Sequence, residues 1–270
     1  MRTALLSFTL LINAFLMAQE TDAYWDSYIA VYENQLPGST TLNMSLIDRA
    51  PLDGFPYVVV TGLTYSSARS DGFPESGTLD MLYTLQDQLL TLLSDFGEHE
   101  HVGSFTHNRE RLEYFYLSDS IGVSEALQTF YTTTYPDHKN YINVEDDPVW
   151  SYYREFLYPN PQTRAYMSDQ AVIRQLAAAG DPLTKRRRVD HWLHFTTSTD
   201  MKHCAKELKS KGFTVQAMKS DAPGQWAHTL QVWRTDMVNI ETIYPLTTEL
   251  RKISAKYNGD YDGWETSIEN

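Results

Sequence analysis

A single cysteine in 270 residues rules out an intrachain disulfide, so the chain is not a small stapled scaffold. A basic excess is missing too, since the formal net charge is −13. The acidity belongs to the first 180 residues, which hold 23 of the 35 acidic side chains but only 9 of the 22 basic ones. That segment repels a phosphate backbone, and the near-neutral remainder has no broad basic footprint, which argues against direct binding of nucleic acid. No apolar run reaches the ~20 residues that a membrane-spanning helix needs. Catalytic signatures are also missing. The chain has no Gly-x-Ser-x-Gly elbow, no Gly-x-x-x-x-Gly-Lys phosphate loop and no His-Glu-x-x-His helix. These absences point away from an enzyme and imply no cofactor.

What is present begins with a targeting pattern. Met1-Arg2 and the apolar run over residues 4–17 read as the n- and h-regions of a signal peptide, with Ala18 at the cleavage point. An exported protein, periplasmic or secreted, is expected, with no transmembrane helix after cleavage. The alternative is a cytoplasmic protein that keeps the run.

Hydrophobic residues make up 42% of the chain and charged residues 21%, a soluble, globular balance. Residues 24–46 are rich in aromatic and β-branched side chains broken by Pro37-Gly38, which predicts a hairpin. Pro56 opens Tyr57-Val58-Val59-Val60-Thr61, an apolar run suited to a central strand. Leu82, Leu85, Leu89, Leu92 and Phe96 form one helical stripe that Gly97 can end. Leu112, Tyr114 and Tyr116 share a strand face. Ser124 is placed to cap a helix with Leu127, Phe130 and Tyr131, and residues 141–144 form another strand. Asp147 and Pro148 then start a helix that turns Trp150, Tyr153 and Leu157 inward. The expectation is one layer of helices on one face of a largely antiparallel sheet.

Residues 160–182 read as a linker with a short helix capped at Ser168. Beyond it, residues 189–195 alternate as a strand. Ser198 is placed to cap a helix with Met201, Cys204, Ala205 and Leu208 on its buried face, so Cys204 reads as a core residue. Strands over 213–218 and 229–233, a helix marked by Leu246, Leu250, Ile253 and Tyr257 with Pro245 near its first turn, and a last strand complete a β-α-β-β-α-β order. The fold class is α+β: two ferredoxin-like α/β sandwich modules in tandem, at residues 24–159 and 183–270, joined by the helical linker.

Specific residues add a resemblance. Val189-Asp190-His191-Trp192-Leu193-His194-Phe195, Lys211-Gly212-Phe213, Arg234-Thr235-Asp236 and the closing Tyr257-Asn258-Gly259-Asp260-Tyr261-Asp262-Gly263-Trp264-Glu265-Thr266 resemble the family of the regulator of ribonuclease activity B, over residues 183–268. Trp25, Tyr28, the run Glu33-Asn34-Gln35-Leu36-Pro37-Gly38 and residues 150–159 resemble the domain-of-unknown-function family numbered 695, over residues 24–159. The first resemblance implies a ferredoxin-like fold and inhibition of ribonuclease E, a cytoplasmic endonuclease, by direct protein contact. The second implies no activity. Export separates this chain from that endonuclease, so a different protein partner is expected. A cytoplasmic ribonuclease E inhibitor is the alternative.

The candidate partner-binding residues are Asp190, His191, Trp192, Tyr261, Asp262, Gly263, Trp264 and Glu265. Within them, Trp264 reads either as an anchor for a partner or as a plug of the sheet. An EF-hand beginning at Asp260 would need its glutamate at a twelfth position that falls beyond Asn270. His191 and His194, three apart on a strand, project to opposite faces. His99, His101 and His107 are the alternative for chemistry, as zinc ligands of a hydrolase, against a plainer reading as loop histidines. Lys185-Arg186-Arg187-Arg188 reads as a solvated stretch or as a contact with the acidic segment.

Overall fold

A computed structural model of the chain describes residues 23–32, 35–220 and 224–269. The expected signal peptide, residues 1–18, lies outside these, as do residues 33–34 and 221–223. The chain divides into two compact units, Met1–Tyr158 and Pro159–Asn270.

In the first unit, strands β1 (Trp25–Val31), β2 (Pro37–Asn43), β3 (Tyr57–Thr64), β4 (His99–His107), β5 (Glu110–Leu117) and β6 (Asn140–Asp146) form one antiparallel sheet in the order β1-β2-β4-β5-β3-β6. The predicted hairpin is β1-β2, but Pro37 opens the second strand rather than making the turn, a position where its missing N–H costs no ladder bond. Helices α1 (Ser76–Leu93) and α2 (Val123–Thr134) cover one face. Their Leu82, Leu85, Leu89, Leu127 and Tyr131 pack on Val59, Leu63 and Phe115. Gly122, not Ser124, holds the cap position of α2.

Helices on a single face were expected, and the second face departs from that. It carries Trp150, Tyr153 and Leu157, all fully buried against Leu42, Val58, Val60, Tyr114 and Tyr116. Burial on both faces explains why β3 is apolar without alternation. The segment that covers this face is a π-helical turn, Tyr152–Leu157, whose last bond runs from Tyr158 N–H to the Tyr153 carbonyl. Asp147 bonds to its first N–H groups, accepting from Ser151 N at 2.9 Å and Tyr152 N at 3.1 Å. Ser151 holds the cap position, however, and Trp150 has a φ of 60°, so Pro148 lies in a turn before the helix and not at its first position. Asp147 also accepts from the Tyr116 hydroxyl at 2.6 Å.

Strand β4 is the element that the sequence pattern hides, because residues 99–107 are polar and rich in histidine. It lies between β2 and β5. Nearby, β3 approaches β5 so closely that a Cβ at Gly62 would sit 1.9 Å from the Arg111 carbonyl oxygen, which only glycine avoids.

The second unit comprises α3 (Pro161–Ala178), β7 (Arg187–Phe195), α4 (Ser198–Ser210), β8 (Thr214–Lys219), β9 (His228–Asp236), α5 (Ile240–Lys256) and β10 (Gly259–Thr266). Its antiparallel sheet has the order β10-β7-β9-β8, so the β-α-β-β-α-β sequence is present. Thr197 caps α4 through Asp200 N. Cys204 is fully buried, and burial pushes its thiol up to about 12, far from a nucleophile. Asn239 caps α5, which starts at Ile240 and therefore holds Pro245 inside the helix, not in its first turn.

Two further segments behave differently from expectation. Helix α3 is a packed part of this unit, not a free linker. It is capped by Asn160 rather than Ser168, and its Leu176, Val172 and Ile173 join Val189, Val238, Ile243 and Trp264 in one core. The basic run is not solvated throughout. Arg187 is buried and pairs with buried Asp181 through both terminal guanidinium nitrogens. The Arg187 hydrogen bonds hold the Asp181 carboxyl well below the usual carboxylate range.

Burial pushes the Asp147 carboxyl up, but its bonds to the Tyr116 hydroxyl and two backbone N–H groups outweigh that and leave it below the ordinary value. Truncation strands those donors. We expect Asp147→Ala to cost the first unit about 3 kcal/mol in urea unfolding at pH 7. A cost near zero would show that the π-helical turn does not depend on these bonds.

Candidate functional site

Alternation along β7 sorts the first predicted residues. Val189, His191, Leu193 and Phe195 are fully buried, whereas Arg188, Asp190, Trp192 and His194 point the other way. The opposite projection of His191 and His194 follows from this. On β10 the alternation is interrupted: Tyr261 pairs with Leu193 and Gly263 with Trp192, leaving Asp262 as an extra, bulged residue. The bulge turns both Tyr261 and Trp264 inward although they are three apart. Gly263 and Glu265 take the opposite face. The eight predicted residues therefore divide into His191, Tyr261 and Trp264 inside, and Asp190, Trp192, Asp262, Gly263 and Glu265 outside.

The inside group holds the unit together. Trp264 Nε1 donates to Asp169 Oδ1 at 2.9 Å, and the Thr247 hydroxyl donates to Asp169 Oδ2 at 2.5 Å. Burial raises the Asp169 carboxyl, only partly offset by those two bonds. His191 Nδ1 lies 2.9 Å from the Tyr261 hydroxyl. Burial pushes His191 down to about 4, so the ring is neutral at pH 7. The Arg251 guanidinium stacks 4.8 Å over the Tyr261 ring and donates to the Tyr261 carbonyl. In these positions Trp264 is a plug of the sheet.

Helices α3, α4 and α5 contribute their apolar faces to the inward side, so among the described residues no helix of this unit covers the outer one. Arg188 lies 4.8 Å over the Trp233 ring and grips Asp190 with two bonds of 2.6 Å. Gln231 also donates to Asp190 at 3.1 Å, so Asp190 is held in place. Trp192 is half-buried and stands between Gln231 on β9 and Gly263 on β10. A Cβ at Gly263 would meet nothing within 4 Å, which leaves room beside the indole. Asp260, Asp262 and Glu265 are exposed on edge strand β10, and Asp262 comes within 3.5 Å of His194. The result is an indole beside an acidic rim on a fixed sheet. On the same face His194 Nδ1 lies 3.1 Å from the Thr229 hydroxyl.

The three histidines of the zinc alternative do not converge. His99, His101 and His107 lie along β4, where six residues of strand separate the first two from the last by roughly 20 Å. His101 Nε2 is bonded to Glu113 Oε2 at 3.0 Å, and His107 Nδ1 lies 3.1 Å from the Pro37 carbonyl. Among the described residues no cluster of histidine, cysteine and carboxylate could hold a metal ion.

Family comparison bears on both units. The model of the family of unknown function DUF695 matches residues 23–158, just over half of the chain. The chain belongs to the DUF695 family. Its second part matches the family Regulator of ribonuclease activity B over residues 167–266. That match begins inside α3, before the expected start at Leu183. Both resemblances read from the sequence are therefore found. No curated protein matches the chain. Among solved structures, an unknown protein from Galdieria sulphuraria is similar at 11% identity, covering 79% of this chain and 99% of that one, with a TM-score of 0.21. Among the described residues no helix is long and apolar enough to cross a membrane.

The split between inner and outer residues is measurable. Trp264→Ala should cost the second unit about 3–5 kcal/mol, and Trp192→Ala no more than about 1 kcal/mol. His191 adds an acid sensitivity. Its folded value lies below the ~6.5 of an unfolded histidine, so its contribution is complete above that pH and is lost as pH falls toward 4. The loss amounts to about 3 kcal/mol across the window. The difference between wild type and His191→Leu in urea unfolding isolates it, and a difference independent of pH would refute the assignment.

Proposed function

We propose that this protein is a non-catalytic regulator that acts by binding another protein through the outer sheet face of its second unit. The single observation that carries the reading is the pairing of a half-buried indole, Trp192, with the acidic rim of Asp262 and Glu265 on an edge strand. Such a surface suits a basic partner segment with an apolar side chain to lay beside Trp192. The match to a family of ribonuclease regulators supports the same mode of action. Both units are read here as ferredoxin-like modules, on the β-α-β-β-α-β order of each.

Export is part of the proposal and rests on Arg2, the apolar run over residues 4–17 and Ala18. An exported chain meets a partner other than a cytoplasmic endonuclease. The second reading, an uncleaved cytoplasmic inhibitor of ribonuclease E, is favoured by the family match alone.

The N-terminus of the protein isolated from its native cells discriminates between the two. A chain beginning near Gln19 supports export, and one beginning at Met1 in the cytoplasm supports the ribonuclease reading. The binding face has its own test, in which one captured protein is compared across variants. Trp192→Ala and the double change Asp262→Lys with Glu265→Lys should weaken its capture at least about tenfold, equal to about 1.4 kcal/mol. Equal capture by wild type and both variants would remove this face from the proposal.

A further inference from the structure

The first unit has a recess that the protein-binding reading does not use. Two helices cover only part of its six-stranded sheet, and the recess lies beside α1 where that cover stops. It measures about 210 Å³ and is lined by Trp25, Thr41, Tyr83, Gln86, His101, Ser104 and Arg111. Beneath it sits Glu113, almost fully buried.

Charge inside the recess runs opposite to the charge of the segment around it. Glu113 is turned inward and occupied, accepting from Arg111 Nε at 2.7 Å and bonded to His101 Nε2 at 3.0 Å. Arg111 Nη2 donates to Gln86 Oε1 at 3.0 Å. Arg111 Nη1 has no protein acceptor among the described residues and keeps contact with solvent. The polar groups that line the space are therefore a guanidinium, an imidazole, an amide, an indole N–H and three hydroxyls, with no carboxylate among them. Burying an Arg–Glu pair is costly, and apolar residues often serve stability better. The neighbouring positions on this sheet face, Phe115 and Leu117 on the same strand, are apolar.

The walls are aromatic. Trp25 lies 5.2 Å from the His101 ring, which lies 4.8 Å from Phe115. The Arg111 guanidinium lies 5.2 Å from the Tyr83 ring centre. Trp25 and Tyr83 are 39% and 50% exposed, so both have ring surface left for a ligand. The volume is below the ~300–1,000 Å³ of drug-sized sites, which limits a ligand to about one ring and its polar group. A guanidinium fork matches a planar carboxylate, and no helix N-terminus or glycine loop lines the space as a phosphate cradle would.

We propose that this recess binds a small aromatic carboxylate, its acid group on Arg111 and its ring against Trp25 and Tyr83. Benzoate is the simplest probe, titrated calorimetrically into the full chain, with benzyl alcohol and inorganic phosphate as controls. Saturable benzoate binding with Kd below about 10 mM is expected, with neither control competing. Arg111→Lys keeps the charge but loses the fork and should abolish binding. Should that variant fail to fold, the surface pair Trp25→Ala with Tyr83→Ala carries the test and should weaken binding at least about tenfold. No saturation, equal binding of benzyl alcohol or phosphate, or wild-type affinity in the surface pair would each overturn the proposal.

Discussion

One buried carboxylate ties three elements of the second unit together. Asp169 on α3 accepts from Thr247 on α5 and from Trp264 on β10. Both of its oxygens are used, and a charge placed where water cannot reach it stays only because both are. This contact dictates that Trp264 points inward, and the bulge at Asp262 is what permits it. Once Trp264 is fixed, Gly263 and Glu265 must lie on the other face, next to Trp192. The outer surface is thus a consequence of how the core closes.

Much of this order is legible in the sequence, for a physical reason. Leu82, Leu85 and Leu89, or Met201, Cys204, Ala205 and Leu208, repeat at helical spacing because one side of each helix meets the sheet. The run from Val189 to Phe195 alternates because one face of β7 is covered and the other is not. What escaped follows from exceptions to these two periods. Bulges at Val102 and Asp262 shift parity without any mark in composition. Strand β4 is hidden because its His101 is bonded to Glu113 and its Ser104 stands opposite Glu113, so polar residues there are buried through pairing rather than through apolarity. Arg187 looked solvated as part of a charge run, since its partner Asp181 is identified only once the chain turns back.

The closing motif shows the same division at the level of function. Its residues Tyr261 to Glu265, with Asp190, His191 and Trp192 on β7, are the eight candidates for a binding surface, with Trp264 read as either an anchor or a plug. Three of the eight are a matter of packing: His191, Tyr261 and Trp264 are inside. The residues left for recognition are fewer, and Trp192, which stands opposite Gly263 on the neighbouring strand, becomes the centre of the surface. A glycine there leaves space that any side chain would fill, so the motif's smallest member shapes the outer face as much as its largest shapes the core.

Both units use one connection order with opposite results for their second faces. Taken from β3 to β6, the first unit also runs β-α-β-β-α-β, with the added hairpin β1-β2 extending its sheet beyond β4. Its second face is sealed by Trp150, Tyr153 and Leu157, whereas that of the second unit has no helix of its own among the described residues. Sealing leaves the first unit little open sheet except beside the hairpin, where α1 stops and the Arg111 recess begins. Net charge misleads in both cases. The acidic segment contains a recess lined by Arg111 and no carboxylate, and the near-neutral one carries an acidic rim. Local desolvation decides what each surface can hold: a charge in a recess interacts with a ligand through little water, while the same charge on an open face is screened.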